Sequence, residues 1–281
     1  MIPIDWKNRF SKDCIDFVEK RLPKEDYDIG IVYNVYPVRV NRAVPDEVIV
    51  FIAKKLAKAL IKTKQDHFKF YNYLWNKKYF QGKLLCCTMF SVFLKSDPDF
   101  FFLIEKDFVQ TAKDDDLTLL INKGLSSLFK LDIAKTIKIV NTLIKIDNKI
   151  IDSKLKSLLV KTIKGDEASV DFIIDKTMWQ WEALSKNGVG FFSKLLREIF
   201  KLFPSKYNQL FVRLSATMQP SVIEILCLSI DKNITISKEI KEQIRQWTNS
   251  GNNRIKKSAL STMKKITRKR KSATKKQKST N

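Results

Sequence analysis

The sequence predicts an all-α protein in which antiparallel helix pairs stack as an α-solenoid. Apolar residues recur at helical spacing almost throughout the 281 residues, and strand-like alternation is nearly absent. Pro and Gly mark several of the short joints between about a dozen helical segments. Because each amphipathic helix must bury its apolar face, helix pairs that pack on neighbouring pairs satisfy this pattern.

The clearest helix lies in the stretch AVPDEVIVFIAKKLAKALIKT, residues 43–63. Pro45 suits a first helical turn, and Asp46 and Glu47 are favourable at the positive end of the helix dipole. Residues 28–40 are rich in β-branched and aromatic side chains without helical spacing, so we expect a loop or short extended structure there. Further helices are predicted near residues 97–108, 114–128, 133–146, 153–163, 168–184, 190–203, 207–218, 220–230, 237–247 and 252–267.

The chain length fits a HEAT-like arrangement. HEAT-type pairs take about 40 to 47 residues each, so about six pairs fit this length. We expect residues 1–263 to form a HEAT-like helical domain and residues 264–281 to form a basic, disordered tail. No sequence period is clean enough to prove repeats, and an irregular helical bundle is the alternative.

The segment TMWQWEAL carries two tryptophans, Trp179 and Trp181, two positions apart. On a helix two such side chains point about 200° from each other. We therefore expect one of them in the core and the other half-exposed.

The charge of the chain is strongly basic. It has 53 Lys+Arg and 30 Asp+Glu, a net charge of +23, and removing the nine cations of residues 264–278 still leaves 44 against 30, or +14. Such a charge attracts polyanions, so we expect nucleic acid as the partner, duplex DNA above all, bound by a monomer. The other interpretation is solubility in an organism that favours Lys. No apolar run approaches the length of a membrane span, and no membrane partner is expected.

Rows of cations at helical spacing are the candidate nucleic-acid-binding residues. One row lies on the 43–63 helix and another on the 190–203 helix, and the last helix continues into the basic tail. A row of this kind is usually only solvated, but along a groove it would follow phosphates. The candidate residues are Lys54, Lys58 and Lys62, then Lys194, Arg197 and Lys201, and finally Arg254, Lys257, Arg268 and Arg270.

The residues that usually make metal sites and triads are scarce. The four cysteines show no CxxC spacing and three lie in strongly apolar surroundings, which indicates reduced, buried thiols in an intracellular protein. The single histidine, His67, is expected on the surface. We expect no metal and no cofactor. A signal peptide is not evident at the start, so the expected location is cytoplasmic or nucleoid-associated, or nuclear in a eukaryote.

Three segments, taken in order, resemble the HEAT-repeat alkylpurine DNA glycosylases, the AlkD-like DNA alkylation repair family. Lys194-Leu-Leu-Arg197-Glu198-Ile199 looks like the family's W-x-x-R-E-Y helix. VIVFIAKKLAK followed by YLWNKKYFQGKLLCCTMF is similar to its N-terminal pattern, and QPSVIEILCLSI lies where its last repeat starts. The matches span about residues 40–230.

The resemblance implies a C-shaped solenoid whose concave, basic face binds duplex DNA, with two tryptophans and an aspartate beside the lesion. By this resemblance Arg197 matches a backbone-binding arginine, while Lys194 stands where the family has a cleft tryptophan. The family's W-W-D-x-x-D segment falls near residues 113–116, which offer carboxylates and no tryptophan, and its W-x-R-R element has no counterpart between 147 and 175. The resemblance therefore implies a retained scaffold and a degraded or rebuilt active site.

Asp116 is the candidate catalytic residue. A carboxylate in a basic groove can stabilise an oxocarbenium-like sugar or position a water. Three acids at a helix start, Asp114 to Asp116, also serve simply to complement the helix dipole. Whether the protein is an enzyme is left open.

Two further function classes share these sequence features. An α-solenoid with a basic targeting tail suits a protein-interaction scaffold, because its long surfaces accept extended partners. Binding of ribosomal or precursor RNA follows from the same charge argument as binding of DNA.

Overall fold

The protein is described by a computed structural model that covers residues 2–63, 67–76, 80–130, 133–230 and 236–278, with side chains except at residues 80, 130 and 268–278. The described residues are mostly helical and form no β-strand, which confirms the all-α prediction. In chain order the α-helices of these ranges are α1 (Ile4–Asp16), α2 (Gly30–Tyr33), α3 (Asp46–Thr63), α4 (Phe68–Asn76), α5 (Phe80–Ser96), α6 (Phe100–Ile104), α7 (Asp114–Leu119), α8 (Ile133–Lys145), α9 (Lys149–Gly165), α10 (Ser169–Met178), α11 (Lys186–Leu202), α12 (Pro204–Ser215), α13 (Pro220–Ser229), α14 (Lys238–Trp247) and α15 (Asn253–Lys278).

Short irregular turns extend several helices. Turns with π-helical hydrogen bonding follow α1, α6 and α7, at Phe17–Arg21, Glu105–Val109 and Leu120–Leu125. Tighter 3₁₀ turns lie at Leu22–Lys24, Leu128–Lys130 and Trp181–Ala183.

Side-chain caps decide where α9 and α11 begin. Asn148 Oδ1 accepts hydrogen bonds from the backbone N–H groups of Ile150 (2.8 Å) and Ile151 (3.2 Å). Ser185 Oγ accepts one from the N–H of Gly188 at 3.1 Å. Because these caps satisfy N–H groups of the first turn, both helices begin four residues before the positions predicted from apolar spacing, 153 and 190.

The chain divides into two compact units, Met1–Ile139 and Val140–Asn281. In the first unit α3 packs against α1 and α5, and α5 also packs against α4 and the turn Leu120–Leu125. Aromatic side chains fill part of this core: the ring centroids of Phe90 and Phe108 are 5.1 Å apart, and those of Phe93 and Phe100 are also 5.1 Å apart. The prediction of a single domain over residues 1–263 stays a prediction.

In the second unit alternate helices pack on one another. Helix α11 contacts α9, α12 and α13, α13 also contacts α15, and α14 contacts α12 and α15. Trp181 is completely buried against Phe192, with ring centroids 4.6 Å apart, while Trp179 is 63% exposed. This confirms the prediction that one tryptophan of the pair lies in the core and the other does not.

Three segments differ from the sequence prediction. Residues 28–40 contain the short helix α2, and Val40 forms an isolated bridge with Ala43. Helix α10 ends at Met178, before the predicted end near residue 184, and a 3₁₀ turn follows. Helix α15 continues to Lys278, whereas the sequence predicted a helix end near 267 and a disordered tail from 264. Lys, Arg, Ala and Gln are good helix formers and no Gly or Pro interrupts 253–278, which is compatible with the longer helix.

Candidate nucleic-acid interface

The first unit carries the predicted lysine row on α3. Lys54, Lys58 and Lys62 are all exposed, as their spacing predicted. Lys58 and Lys62, together with Lys55, line a cleft of about 430 Å³ whose wall also includes Glu19. No ion pair within the described residues involves these four lysines, so their charge is available to a partner.

The three cations predicted on α11 have different surroundings. Lys194 is exposed, and Lys201 forms an ion pair with Glu198 at 2.8 Å. Arg197 is half-buried, and its Nη2 and Nε donate hydrogen bonds to the carbonyl oxygens of Leu228 (2.9 Å) and Ser229 (3.3 Å) at the end of α13. Arg197 therefore ties α11 to α13, and its predicted phosphate contact stays a prediction.

A second cluster of cations, which we call the lysine cleft, lies between the beginnings of α9 and α11. It has a volume of about 500 Å³, and Lys149, Lys156, Lys186 and Lys194 line it. Sequence reasoning singled out only Lys194. The i, i+7 spacing on α9 and the i, i+8 spacing on α11 place each pair near one helix face, but only tertiary packing brings the two helices together.

One carboxylate shares the lysine cleft. Asp152 is half-buried, and its Oδ1 is inaccessible to solvent without a hydrogen-bond partner. Burial raises the pKa of Asp152 to about 6, the charge of Asp147 adds to that rise, and Lys194 opposes it. Because burial disfavours the charged form, Asp152 is an acid that titrates within the cleft near pH 6.

The packing between α10 and α12 provides the contrast. Asp171 forms ion pairs there with Lys206 and with Arg213, and Arg213 also pairs with Asp175 at 2.9 Å. In the lysine cleft, by comparison, none of the four lysines is ion-paired with a carboxylate of the described residues. The lysine cleft therefore gathers four lysines whose charge no ion pair within the described residues balances.

The cations predicted at the end of the chain lie on α15. Arg254 is ion-paired with Glu224 of α13, and Lys257 is exposed. The side chains of Arg268 and Arg270 lie outside the described residues. Helix α15 docks through buried Ala259 and through Thr262, whose hydroxyl donates to the carbonyl of Cys227 at 3.0 Å. The first half of α15, which carries Arg254 and Lys257, is therefore packed against the rest of the second unit.

Asp116, the predicted catalytic residue, lies in an open cleft of about 630 Å³ in the first unit. Its Oδ2 accepts a hydrogen bond from Lys83 Nζ at 2.6 Å, and the same ammonium lies 5.4 Å from the ring centroid of Trp75. Lys113 and Asp107 also line this cleft. The structure thus places a carboxylate, a cation and a tryptophan together, although the carboxylate is already paired. Sequence reasoning missed Lys83 at this site because its partner lies 33 residues away.

The four cysteines are free and buried, as predicted. Burial raises the pKa of Cys14 and of Cys227 to about 12. The surface position expected for His67 is wrong: its side chain is 8% exposed, and its Nε2 lies 3.1 Å from Thr63 Oγ1. The polar neighbour Asp66 suggested exposure, but His67 lines a largely apolar cleft with Leu60 and Phe68.

Within the described ranges no group of His, Cys, Asp and Glu side chains is arranged to hold a metal ion. None of the helices in that part of the chain combines the length and apolarity that crossing a bilayer needs.

Comparison with known proteins finds no family model, no curated protein and no solved structure that matches this chain. The resemblance to the AlkD-like family therefore depends only on the residue patterns between about 40 and 230.

Proposed function

We propose that this protein is a HEAT-like solenoid that binds nucleic acid, with duplex DNA as its main ligand, through phosphate contacts. The observation that carries the proposal is the set of cleft-lining lysines on α3, α9 and α11 that have no carboxylate partner among the described residues. Lysines that neutralise backbone phosphates release counterions, which supplies sequence-independent affinity. The net charge of +23 adds long-range attraction.

The packing of alternate helices supports the solenoid part of the proposal. Stacked antiparallel pairs place every second helix against the next, as α9, α11, α13 and α15 do in the second unit. The lysine cleft belongs to this row of helices, whereas the ion pairs of Asp171 and Asp175 belong to α10 and α12. The lysine cleft, whose four lysines form no ion pair within the described residues, suits a polyanion.

In this proposal the protein shares the helical scaffold of the alkylpurine glycosylases but not their active site. Lys194 stands where the resemblance requires an aromatic wall, and a cation there repels a cationic base. Asp116 and Trp75 form a different constellation, with Lys83 between them. If the protein releases alkylated bases from duplex DNA and an Asp116→Asn variant does not, the protein is an enzyme and Asp116 takes part in its reaction.

A salt titration tests the binding proposal. We expect the full chain to bind a 20-base-pair duplex with log Kd rising linearly with log salt, by about 0.9 per phosphate contact. Lys186→Gln with Lys194→Gln should reduce the slope by about 2, since two contacts are removed. The matched control is Lys161→Gln with Lys164→Gln, which removes the same charge at exposed positions near the other end of α9.

Equal slopes for the lysine-cleft pair and the control pair would show that net charge alone attracts DNA. Absence of binding at low salt would refute the proposal. A parallel titration with double-stranded RNA of the same length tests the choice of DNA, because both ligands present phosphates but differ in helix geometry.

A scaffold function is the second candidate, and one observation favours it. An open cleft of about 520 Å³ in the first unit is lined largely by apolar side chains, including Phe68, Tyr71 and Phe100. Two of its lining residues, Ile61 and Leu103, are 40% and 57% exposed. Peptides selected on the full chain should carry apolar anchors and should lose affinity for a Leu103→Asp variant; polar peptides indifferent to that variant would remove this candidate.

A further inference from the structure

The lysine cleft combines features that favour one small, compact anion. Lys149 and Lys186 are the first residues of α9 and α11, so the positive ends of both helix dipoles lie beside the cleft. Lys156 and Lys194 line it about two turns further along the same helices. Four ammonium groups and two helix starts therefore surround one space.

The cleft is open beside the backbone of Gly190. Gly190 lines the cleft in the interior of α11, and a Cβ atom built there would meet no other atom within 4 Å. The cleft volume of about 500 Å³ lies in the range of small-ligand sites, about 300–1,000 Å³.

We propose that the lysine cleft is a specific phosphate site, which holds one phosphate group between Lys149 and Lys156 of α9 and Lys186 and Lys194 of α11. The proposal rests on the proposed function, in which the phosphate belongs to a nucleic-acid strand. Inorganic phosphate presents the same chemistry and is the other source.

Asp152 controls the affinity of this site. Ionised, its carboxylate compensates the lysines and repels a phosphate; protonated, it removes the repulsion and can donate a hydrogen bond to a phosphate oxygen. The charged groups around it are Lys149 and Lys156 on its own helix, Lys186 and Lys194 on α11, and Asp147 in the preceding loop, whose carboxylate accepts a hydrogen bond from Ser185. Because burial raises the pKa of Asp152 to about 6, phosphate binding strengthens as the pH falls through that value.

The experiment compares the full chain with two variants of equal charge change. Asp152→Asn removes the acid in the cleft, and Glu167→Gln removes an exposed acid outside it. The probe is a labelled 20-base-pair duplex without terminal phosphates, whose phosphodiesters do not titrate between pH 5 and 7.5. At pH 7.5 Asp152→Asn should tighten binding about three- to tenfold, the effect of one charge at about 5 Å in a partly screened site.

At pH 5 the wild type and Asp152→Asn should bind equally, because the wild-type carboxyl is then protonated. Glu167→Gln should match the wild type at both pH values. Equal effects of Asp152→Asn and Glu167→Gln at pH 7.5 would overturn the phosphate site while leaving DNA binding intact. Thermal unfolding of each variant shows that the fold is retained.

A second arm separates this inference from the proposed function. If the wild type fails to bind the duplex at low salt, the proposed function fails, and inorganic phosphate is then titrated by calorimetry at pH 5 and at pH 7.5. Binding that is lost in Lys186→Gln with Lys194→Gln supports the site with free phosphate as its source. No heat from phosphate in that case overturns the site as well.

Discussion

Arg197 was predicted to bind a DNA phosphate, but in the structure it donates hydrogen bonds within the chain. Replacing Arg197 distinguishes a role in DNA binding from a role in stability. Its guanidinium donates to the carbonyl oxygens of Leu228 and Ser229, the last two residues of α13. Carbonyl groups at a helix end have no partner within the helix. Arg197 also places a positive charge at the negative end of the α13 dipole.

The magnitude follows from these two hydrogen bonds. A hydrogen bond with one charged partner contributes about 1.5–3 kcal/mol, and exposure reduces that value. The 2.9 Å bond from Nη2 is well formed, whereas the 3.3 Å bond from Nε is long. Because Arg197 is only half-buried, we expect Arg197→Met to lower the free energy of unfolding by about 2 kcal/mol.

The assay is urea denaturation followed by circular dichroism, with Lys194→Met as the matched control. Lys194 is exposed one turn earlier on α11 and makes no ion pair with a carboxylate of the described residues, so its replacement should change stability by less than about 0.5 kcal/mol. Duplex affinity is measured on both variants. If Arg197→Met is as stable as the control and binds DNA more weakly than the wild type, Arg197 is a phosphate contact and the reasoning from its hydrogen bonds is refuted.

Three further predictions concern buried groups. The pKa of Asp152 is raised in the folded state, so between about pH 4 and 6 the folded chain binds more protons than the unfolded chain. The free energy of unfolding should therefore fall as the pH rises through that window. In an Asp152→Asn variant the urea midpoint should depend less on pH over the same window. The hydroxyl groups of Tyr207 and Ser229 are joined by a buried hydrogen bond of 2.6 Å. Ser229 Oγ also donates a second hydrogen bond, to the carbonyl oxygen of Leu226. Tyr207→Phe should therefore cost about 1 kcal/mol and Ser229→Ala up to about 3 kcal/mol, because only the latter leaves a buried hydroxyl unpaired; equal unfolding free energies would contradict this. Cys14 and the other buried thiols should react with a thiol reagent at pH 8 only upon unfolding, and rapid labelling of the native protein would show that these sites open.

Local sequence signals predicted much of the helical structure. The acids at 46–47 and 114–116 coincide with the starts of α3 and α7, and Pro220 begins α13 as predicted. Helix α12 begins at Pro204, before the predicted start near residue 207. The opposite exposures of Trp179 and Trp181 agree with the prediction, although α10 ends at Met178 and Trp181 lies in the 3₁₀ turn that follows. These features depend on neighbours within one or two turns, which a sequence displays directly.

The pairing of charges depends on residues that are distant in the chain. Lys83 meets Asp116 across 33 residues, and Arg197 meets Leu228 across 31. Helical spacing shows which cations share a face, but it does not show whether a carboxylate or a carbonyl from another helix lies opposite them. The rows on α3 and α11 were therefore predicted alike, although one remains without carboxylate partners and the other includes a helix-binding arginine.

By itself, the sequence determined an all-helical chain with a strong excess of positive charge, because helical period and charge are properties of composition and local order. Only the tertiary structure decided which lysines keep their charge unbalanced, since that requires knowing which helices pack together. The lysine cleft exists because α9 and α11 lie side by side with their capped beginnings at one end. Asp152 acquires its raised pKa for the same reason: burial between packed elements, rather than its neighbours in sequence, is the main cause.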